Sequence, residues 1–319
     1  MVDILPPTIS YSQLSIFNNC KRSYFYDKYW TTLGEAKWDA WRMKYITSIP
    51  MLKGACIHHA LRMCILDYKH NGRNHSLNDA IFYFRKSLRE KYLESDKGHW
   101  KNPKVFGKRI QDVTNLFEHF YHDENALQKA QKAEEVGIKA IESLWTSPIW
   151  ERVLATPYED FMTIDEENFP KFNVIVNNLP ERYKEFSDMT VYAVIDLAIK
   201  YNKTLRIIDW KTGKESDSSK LQLAIYAMYA NSTWHYEIGD IKFYLCYLGE
   251  KTTIKTEEIN APTIISSYNI LVNTYREMLE LYNFGEPVID NFPKTEDMDM
   301  CETCKYKGLC NKENNKIED

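Results

Sequence analysis

The chain has 319 residues, 41 Lys and Arg against 45 Asp and Glu, a formal net charge of −4, and 44% hydrophobic residues. With only 11 Gly and 11 Pro, this composition excludes collagen-like, low-complexity and disordered classes and supplies ample material for a core, with a soft expectation of about two domains from length. No apolar run reaches the roughly 18 residues of a membrane span, and the leading MVDILPP lacks the regions of a secretory signal, so the chain is expected in a reducing cytoplasm without membrane association.

In chain order, Ser10 with Gln13 reads as a capping box opening a helix to about Tyr26, with Leu14, Phe17 and Tyr24 at helical spacing and Cys20 on it. A second helix is expected over about 51–68, with Ile57, Leu61, Ile65 and Tyr68 as its apolar stripe and His58 beside it. The pattern then stays helical to about Tyr158. Within it, residues 81–110 hold nine Lys or Arg against Glu90, Glu94 and Asp96, either a solvated face or a track for a phosphate backbone.

The character changes at VYAVIDLAIKY (191–201) and TLRIIDWK (204–211), two β-branched runs joined by Asn202 and Lys203, which predict a hairpin. Residues 216–230 predict an amphipathic helix after a Ser-rich cap, 241–259 a hairpin turning at Gly249 and Glu250, and Pro262 to Tyr282 a further helix. This order indicates an α/β core. Four segments are expected: N-terminal helices (1–60), a helical insertion (61–185), the core (186–284) and a cysteine-bearing terminal segment (285–319).

On a strand, side chains two apart share a face, so Asp209 and Lys211 project together, and Asp196 on the paired strand can lie close by. Two carboxylates and a lysine at strand ends can hold a hard divalent cation and keep a donor for an attacking water, the chemistry of phosphodiester hydrolysis. Alone, such a triplet is more often a surface salt bridge. It gains weight from pieces that appear in order around it: Gly54-x-x-x-His58, Asp209-Trp210-Lys211-Thr212-Gly213, and Gln222 with Tyr226, one helical turn apart. A lone His beside apolar residues is commonly a core histidine, and Trp210 commonly packs under a sheet.

Seven cysteines are too few and too unevenly spaced for a disulfide framework. Cys301-x2-Cys304-x5-Cys310 supplies three thiolates, with a fourth ligand to be found among Cys20, Cys56, Cys64 and Cys246. Four thiolates suit zinc or an iron-sulfur cluster, but no second C-x-x-C or His pair is present.

With these pieces the sequence resembles the PD-(D/E)XK nucleases of the RecB type, in particular their iron-sulfur members, in islands at residues 10–26, 54–61, 191–226 and 292–310. The resemblance implies a restriction-endonuclease-like mixed sheet flanked by helices, and a DNA nuclease dependent on Mg²⁺ or Mn²⁺. His58, Asp196, Asp209 and the main-chain carbonyl of Trp210 would be metal ligands and Lys211 the catalytic lysine. Gln222 and Tyr226 would support the site and contact DNA, and Ser12 and Leu14 match the first helix. It further implies a structural [4Fe-4S] cluster on Cys20, Cys301, Cys304 and Cys310, clasping the two ends of the chain, so that metal loss should loosen the core. Ala193 departs from the glycine common in the family.

These features lead to an expected exonuclease on single-stranded DNA or DNA ends, in repair, recombination or processing. No ATP-binding frame is present, GKES at 213–216 lacking it, so unwinding would need a helicase partner. Aromatics of the insertion (Tyr83, Phe84, Trp100, Phe106, Phe117, Tyr121) would arch over the site or form core. The rival expectation is a catalytically silent, metal-stapled binding module.

Overall fold

The computed structural model describes residues 5–30, 37–164, 170–213, 215 and 219–315. A five-stranded sheet runs β10-β9-β8-β7-β4, made of β4 (Phe161–Ile164), β7 (Leu197–Tyr201), β8 (Thr204–Lys211), β9 (Ile241–Tyr247) and β10 (Thr253–Glu257). Only the β8–β9 pair is parallel, and the crossover it requires is the helix α9 (Ser219–Trp234). A second sheet of β1 (Ile9–Ser10), β6 (Asp188–Tyr192) and β5 (Lys171–Ile175) runs in the order β1-β6-β5. This is a mixed α/β fold of the restriction-endonuclease-like kind expected.

The expected hairpins form, with Leu197 paired to Ile208 in the first and Thr253 to Tyr247 in the second. Residues 191–201, however, are not one strand. Val191 and Tyr192 pair with Ile9 and Ser10 in the three-stranded sheet, and the chain then bends at Asp196 into β7. β4 and β5 fall in the expected helical insertion; both are short, and each is held by pairing to a strand that follows it, β7 and β6 respectively.

The two helix layers lie on opposite sides of the main sheet and define two cores. α9 and α10 (Ala261–Tyr282) pack on the side of Leu205, Ile207 and Phe243. The long α4 (Ile49–Asn71), α5 (Leu77–Asp96), α7 (Ala126–Trp145) and α8 (Pro148–Leu154) pack on the side of Ile208, Trp210 and Cys246. α9 is buried over Leu223 to Ala227 without interruption, so it is enclosed between layers rather than amphipathic; its expected Ser-rich cap (216–218) lies outside the described residues.

The first helix also differs. It breaks at Cys20, whose extended backbone (φ −159°, ψ 109°) ends α1 (Tyr11–Asn19) and caps α2 (Lys21–Phe25), followed by a π-helical turn, Tyr26–Trp30. Ser10 Oγ accepts the Gln13 N–H as expected of the cap. α4 starts at a Ser48 cap and stops at Gly72, whose φ of 63° is the left-handed conformation that only glycine adopts cheaply. After α5, residues 97–125 are mostly short 3-10 turns, α3 (Lys37–Lys44) lies earlier in the chain, and β2 (Ile46–Thr47) pairs in parallel with β3 (Asn115–Leu116), which opens the four-residue helix α6 (Phe117–Phe120). No helix among the described residues is long and apolar enough to cross a membrane.

Candidate active site

β8 alternates its side chains between the two cores. Leu205 and Ile207 face α9, and Asp209 and Lys211 continue that face past the end of the apolar run. Four side chains close a ring there: Lys211 Nζ lies 2.6 Å from Asp209 Oδ2 and donates to Gln222 Oε1 at 2.6 Å, Gln222 Nε2 donates to the Tyr226 hydroxyl at 2.8 Å, and that hydroxyl reaches Asp209 Oδ1 at 3.4 Å. The helical spacing of Gln222 and Tyr226 is what lets both meet one strand end.

The hairpin register brings Asp196, one step before Leu197, opposite Asp209, one step after Ile208. Asp196 Oδ2 accepts the Trp210 N–H at 2.7 Å. From the other side α4 delivers His58, with Nε2 3.0 Å from the Trp210 carbonyl oxygen and Nδ1 3.4 Å from Asp196 Oδ1. The Trp210 ring itself is buried in the second core.

Gly54 makes this approach possible. A Cβ there would stand 2.6 Å from Thr212 Oγ1, so only a glycine lets α4 settle against the residue following Lys211. The sequence pattern Gly54-x-x-x-His58 has this meaning: one turn of helix with a close contact at one end and an imidazole at the other. Thr212 was not singled out, although its place directly after Lys211 was the available signal.

Asp209 is 2% exposed. Burial, then the neighbouring Asp196 charge, pushes its carboxyl up to about 6, against the pull of Lys211 and His58. Its buried Oδ2 faces the Lys211 ammonium at 2.6 Å. A buried carboxylate next to a second carboxylate is costly unless cations offset both charges, and one lysine leaves a net negative charge for a further cation. His58 Nε2 and the Trp210 carbonyl are both lone-pair donors, so one proton must lie between them, and a shared cation would take its place. The donor set of two carboxylates, one imidazole and one carbonyl therefore fits a hard divalent ion. Among the described residues no three His, Cys, Asp or Glu side chains converge closely enough to hold a metal as they stand, at this strand end or at the cysteines; here Asp196 is held by Trp210 N–H and His58, and Asp209 by Lys211 and Tyr226.

The four cysteines singled out, Cys20, Cys301, Cys304 and Cys310, line a single cavity of about 990 Å³, and none is in a disulfide. Cys20 Sγ accepts the Ser23 N–H and Cys304 Sγ the Tyr306 N–H, each at 3.4 Å. Burial raises the Cys304 thiol, with the Tyr306 N–H working against it; backbone N–H donors to sulfur are the kind of contact that orients a metal-bound cysteine. Cys56, Cys64 and Cys246 are buried in the second core, and burial raises all three thiols, the last two to about 12.

The basic block of 81–110 spends much of its charge internally: Arg85 and Arg89 pair with Glu134, Lys108 with Glu94, and Arg109 with Asp112. Phe84 and Trp100 are core residues. Phe106, stacked on His99 at 3.9 Å, is exposed.

The family model described as the PD-(D/E)XK nuclease superfamily matches residues 8–311 of the chain. No curated protein matches it.

Proposed function

The chain belongs to the PD-(D/E)XK nuclease superfamily, and from that premise we propose a Mg²⁺- or Mn²⁺-dependent deoxyribonuclease of the RecB type, acting on single-stranded DNA or DNA ends. The observation that carries the reading is the buried Asp209 carboxylate, enclosed with Asp196, Lys211 and His58 at one strand end. His58, Asp196, Asp209 and the Trp210 carbonyl would hold the ion. When bound, it supplies charge for the scissile phosphate and a more acidic water.

The remaining work belongs to the chain. Asp209 and Gln222 hold the Lys211 ammonium from two sides, so it stays where an attacking water and the developing phosphorane charge need a donor. Tyr226, held neutral by burial and by the Asp209 and Asp196 charges, accepts from Gln222 and so fixes which way that amide points. Asp196 spans Trp210 N–H and the His58 ring, which ties both metal-binding elements to one carboxylate. Cys20, Cys301, Cys304 and Cys310 are assigned a structural [4Fe-4S] cluster, supported by their common cavity and the N–H donors on Cys20 and Cys304. The helical layer of α5 and α7 is proposed as a subdomain inserted into the core, and a helicase as the partner wherever duplex must be opened.

The test is digestion of end-labelled single- and double-stranded DNA by anaerobically purified protein with Mg²⁺ or Mn²⁺, and Lys211→Ala beside it. Metal-dependent cleavage lost in the variant supports the reading, and a ladder shortening from one end supports exonuclease action. Absence of cleavage by iron-loaded protein overturns it in favour of a binding module.

A further inference from the structure

The two candidate metal sites are mechanically connected through a four-residue helix. At one end of that connection, the Glu118 carboxyl group of α6, only 4% exposed, accepts the Ile49 N–H at both oxygens, each at 3.1 Å. Ile49 is the first residue of α4, whose opening N–H groups have no partner within the helix. Glu118 thus supplies from a distant segment what Ser48 supplies locally, where its Oγ accepts the Met51 N–H. The helix so anchored carries Gly54 and His58 onto the strand end.

One turn after Glu118, the Tyr121 hydroxyl donates to the Lys305 carbonyl at 2.9 Å and accepts the Gly308 N–H at 3.3 Å. Both partners lie between Cys304 and Cys310. Lys307 Nζ, from the same stretch, sits over the rings of Phe117 and Tyr121 at 4.7 and 4.4 Å. Gly308 has little room, with Met43 Cε 3.2 Å and the Tyr121 hydroxyl 3.5 Å from where a Cβ would stand. The stretch between the two cysteines, a turn that runs into the helix Lys307–Asn315, is therefore seated on α6 by hydrogen bonds and by close packing at once.

We infer that α6 transmits the state of the cysteine clasp to the nuclease metal site, with Tyr121 and Glu118 as positioning residues for His58. The inference rests on the reading of His58 as a metal ligand. Tyr121 caps α6 through its N–H to the Phe117 carbonyl, and Glu118 lies within that turn, so a shift felt by Tyr121 is passed to Glu118 and from there to the start of α4. His58 lies nine residues along that helix, about 13 Å away at helical rise, and a rod of this length passes on a tilt at its end. A clasp that has lost its metal then has a defined route by which to displace the imidazole.

The test is a double-mutant cycle on the full chain, with Tyr121→Phe, Glu118→Gln and the pair, read by Mn²⁺ titration and by amide hydrogen exchange over residues 49–58. Both substitutions preserve shape, and thermal unfolding confirms that each variant is folded. Each single variant should weaken Mn²⁺ binding about three- to tenfold, and the double variant should be no weaker than the worse single one, because both act through one route. Tyr121→Phe should also speed exchange at 49–58, and should no longer do so once Glu118 is Gln. Multiplying affinity losses, or exchange at 49–58 indifferent to Tyr121→Phe, overturns the inference. If the wild-type chain binds no Mn²⁺, the proposed nuclease site fails, while the exchange measurement still decides whether α6 couples the clasp to α4.

Discussion

Lys305 Nζ lies 2.8 Å from Asp27 Oδ1 and joins two residues 278 apart in the chain. Tyr306 Oη donates to the same oxygen at 2.8 Å, Lys305 also donates to the Lys44 carbonyl, and Lys44 Nζ donates back to the Asp27 carbonyl. The first turns of the protein and its terminal cysteine segment are thus locked by protein groups alone.

Acid should release this lock. Burial by itself would raise the Asp27 carboxyl, but Lys305, Lys44 and Tyr306 outweigh it and hold the group below its ordinary 3.8. A carboxyl depressed in the folded state stabilises in full above its unfolded value, and the contribution disappears as pH falls through the folded value. Asp27→Asn leaves the Lys305 charge without its partner and should cost about 3 kcal/mol at neutral pH. Urea unfolding at a series of pH values should show the gap between wild type and variant closing below pH 3.8, and a gap independent of pH would refute the assignment.

Gly54→Ala should cost activity although alanine favours a helix interior by about 1 kcal/mol. The added methyl meets Thr212 Oγ1 at 2.6 Å and must push α4 away from the strand end. Removing the obstacle in Gly54→Ala/Thr212→Ala should recover most of the cleavage rate. Failure of the double variant to recover would show that the contact is not what the glycine serves.

Lys211 and Gln222 should fall on one scale. Lys211→Ala is expected to lower kcat about a thousandfold, as for loss of a donor to developing charge, and Gln222→Ala about tenfold to a hundredfold by leaving the ammonium held from one side only. Steady-state cleavage rates for the two single variants and their combination give the answer. A combination no worse than Lys211→Ala is expected, since Gln222 acts through the lysine.

Replacing Cys20 or Cys304 by Ser should abolish bound iron, read by iron analysis and visible absorbance, and lower the unfolding temperature by several degrees. The start of the segment should nevertheless stay attached, because Arg22 binds the Phe292 and Pro293 carbonyls without metal, while the stretch from Lys305 to Gly308 becomes free to shift on Tyr121. Limited proteolysis of the serine variants should therefore leave the start of the segment uncut.

In the basic block, charge reversal at Lys101, Lys104, Lys108 and Arg109 should weaken DNA binding and flatten its dependence on salt by about one unit of slope for each lost phosphate contact. Because Lys108 and Arg109 pair with Glu94 and Asp112, Lys108→Glu/Arg109→Glu alone should weaken binding by less than half as much as the fourfold reversal. A salt-titrated binding assay separates the pairs, and equal shares would assign the phosphate contacts to all four.

Much of the site was readable because its chemistry is local. Asp209, Trp210 and Lys211 occupy one strand, Gln222 and Tyr226 one helical turn, and Gly54 and His58 another, so short-range spacing carries the arrangement. The hairpins were readable for the same reason. What was missed is held by distant partners. Cys20 breaks its helix because Arg22, just beyond it, is drawn to Phe292 and Pro293 and because its own sulfur caps Ser23. Glu118 and Asp27 belong to no pattern, and their meaning appears only when Ile49 and Lys305 arrive beside them. α9 departs from the amphipathic expectation because its sequence does not reveal that a second helix layer covers it.

The lock between Asp27 and Lys305 also sets an order of events during synthesis. Arg22 and Asp27 leave the ribosome first, and the groups that satisfy them, from Phe292 to Tyr306, follow 270 to 279 residues later. Until then the first helices lack their hydrogen-bond partners, and α6 has no Lys305 to receive Tyr121. A nascent chain that has not yet reached these residues would hold every carboxylate of the strand-end site yet lack the parts that fix it in place, so the site would be set only once the stretch from Phe292 to Tyr306 has been made.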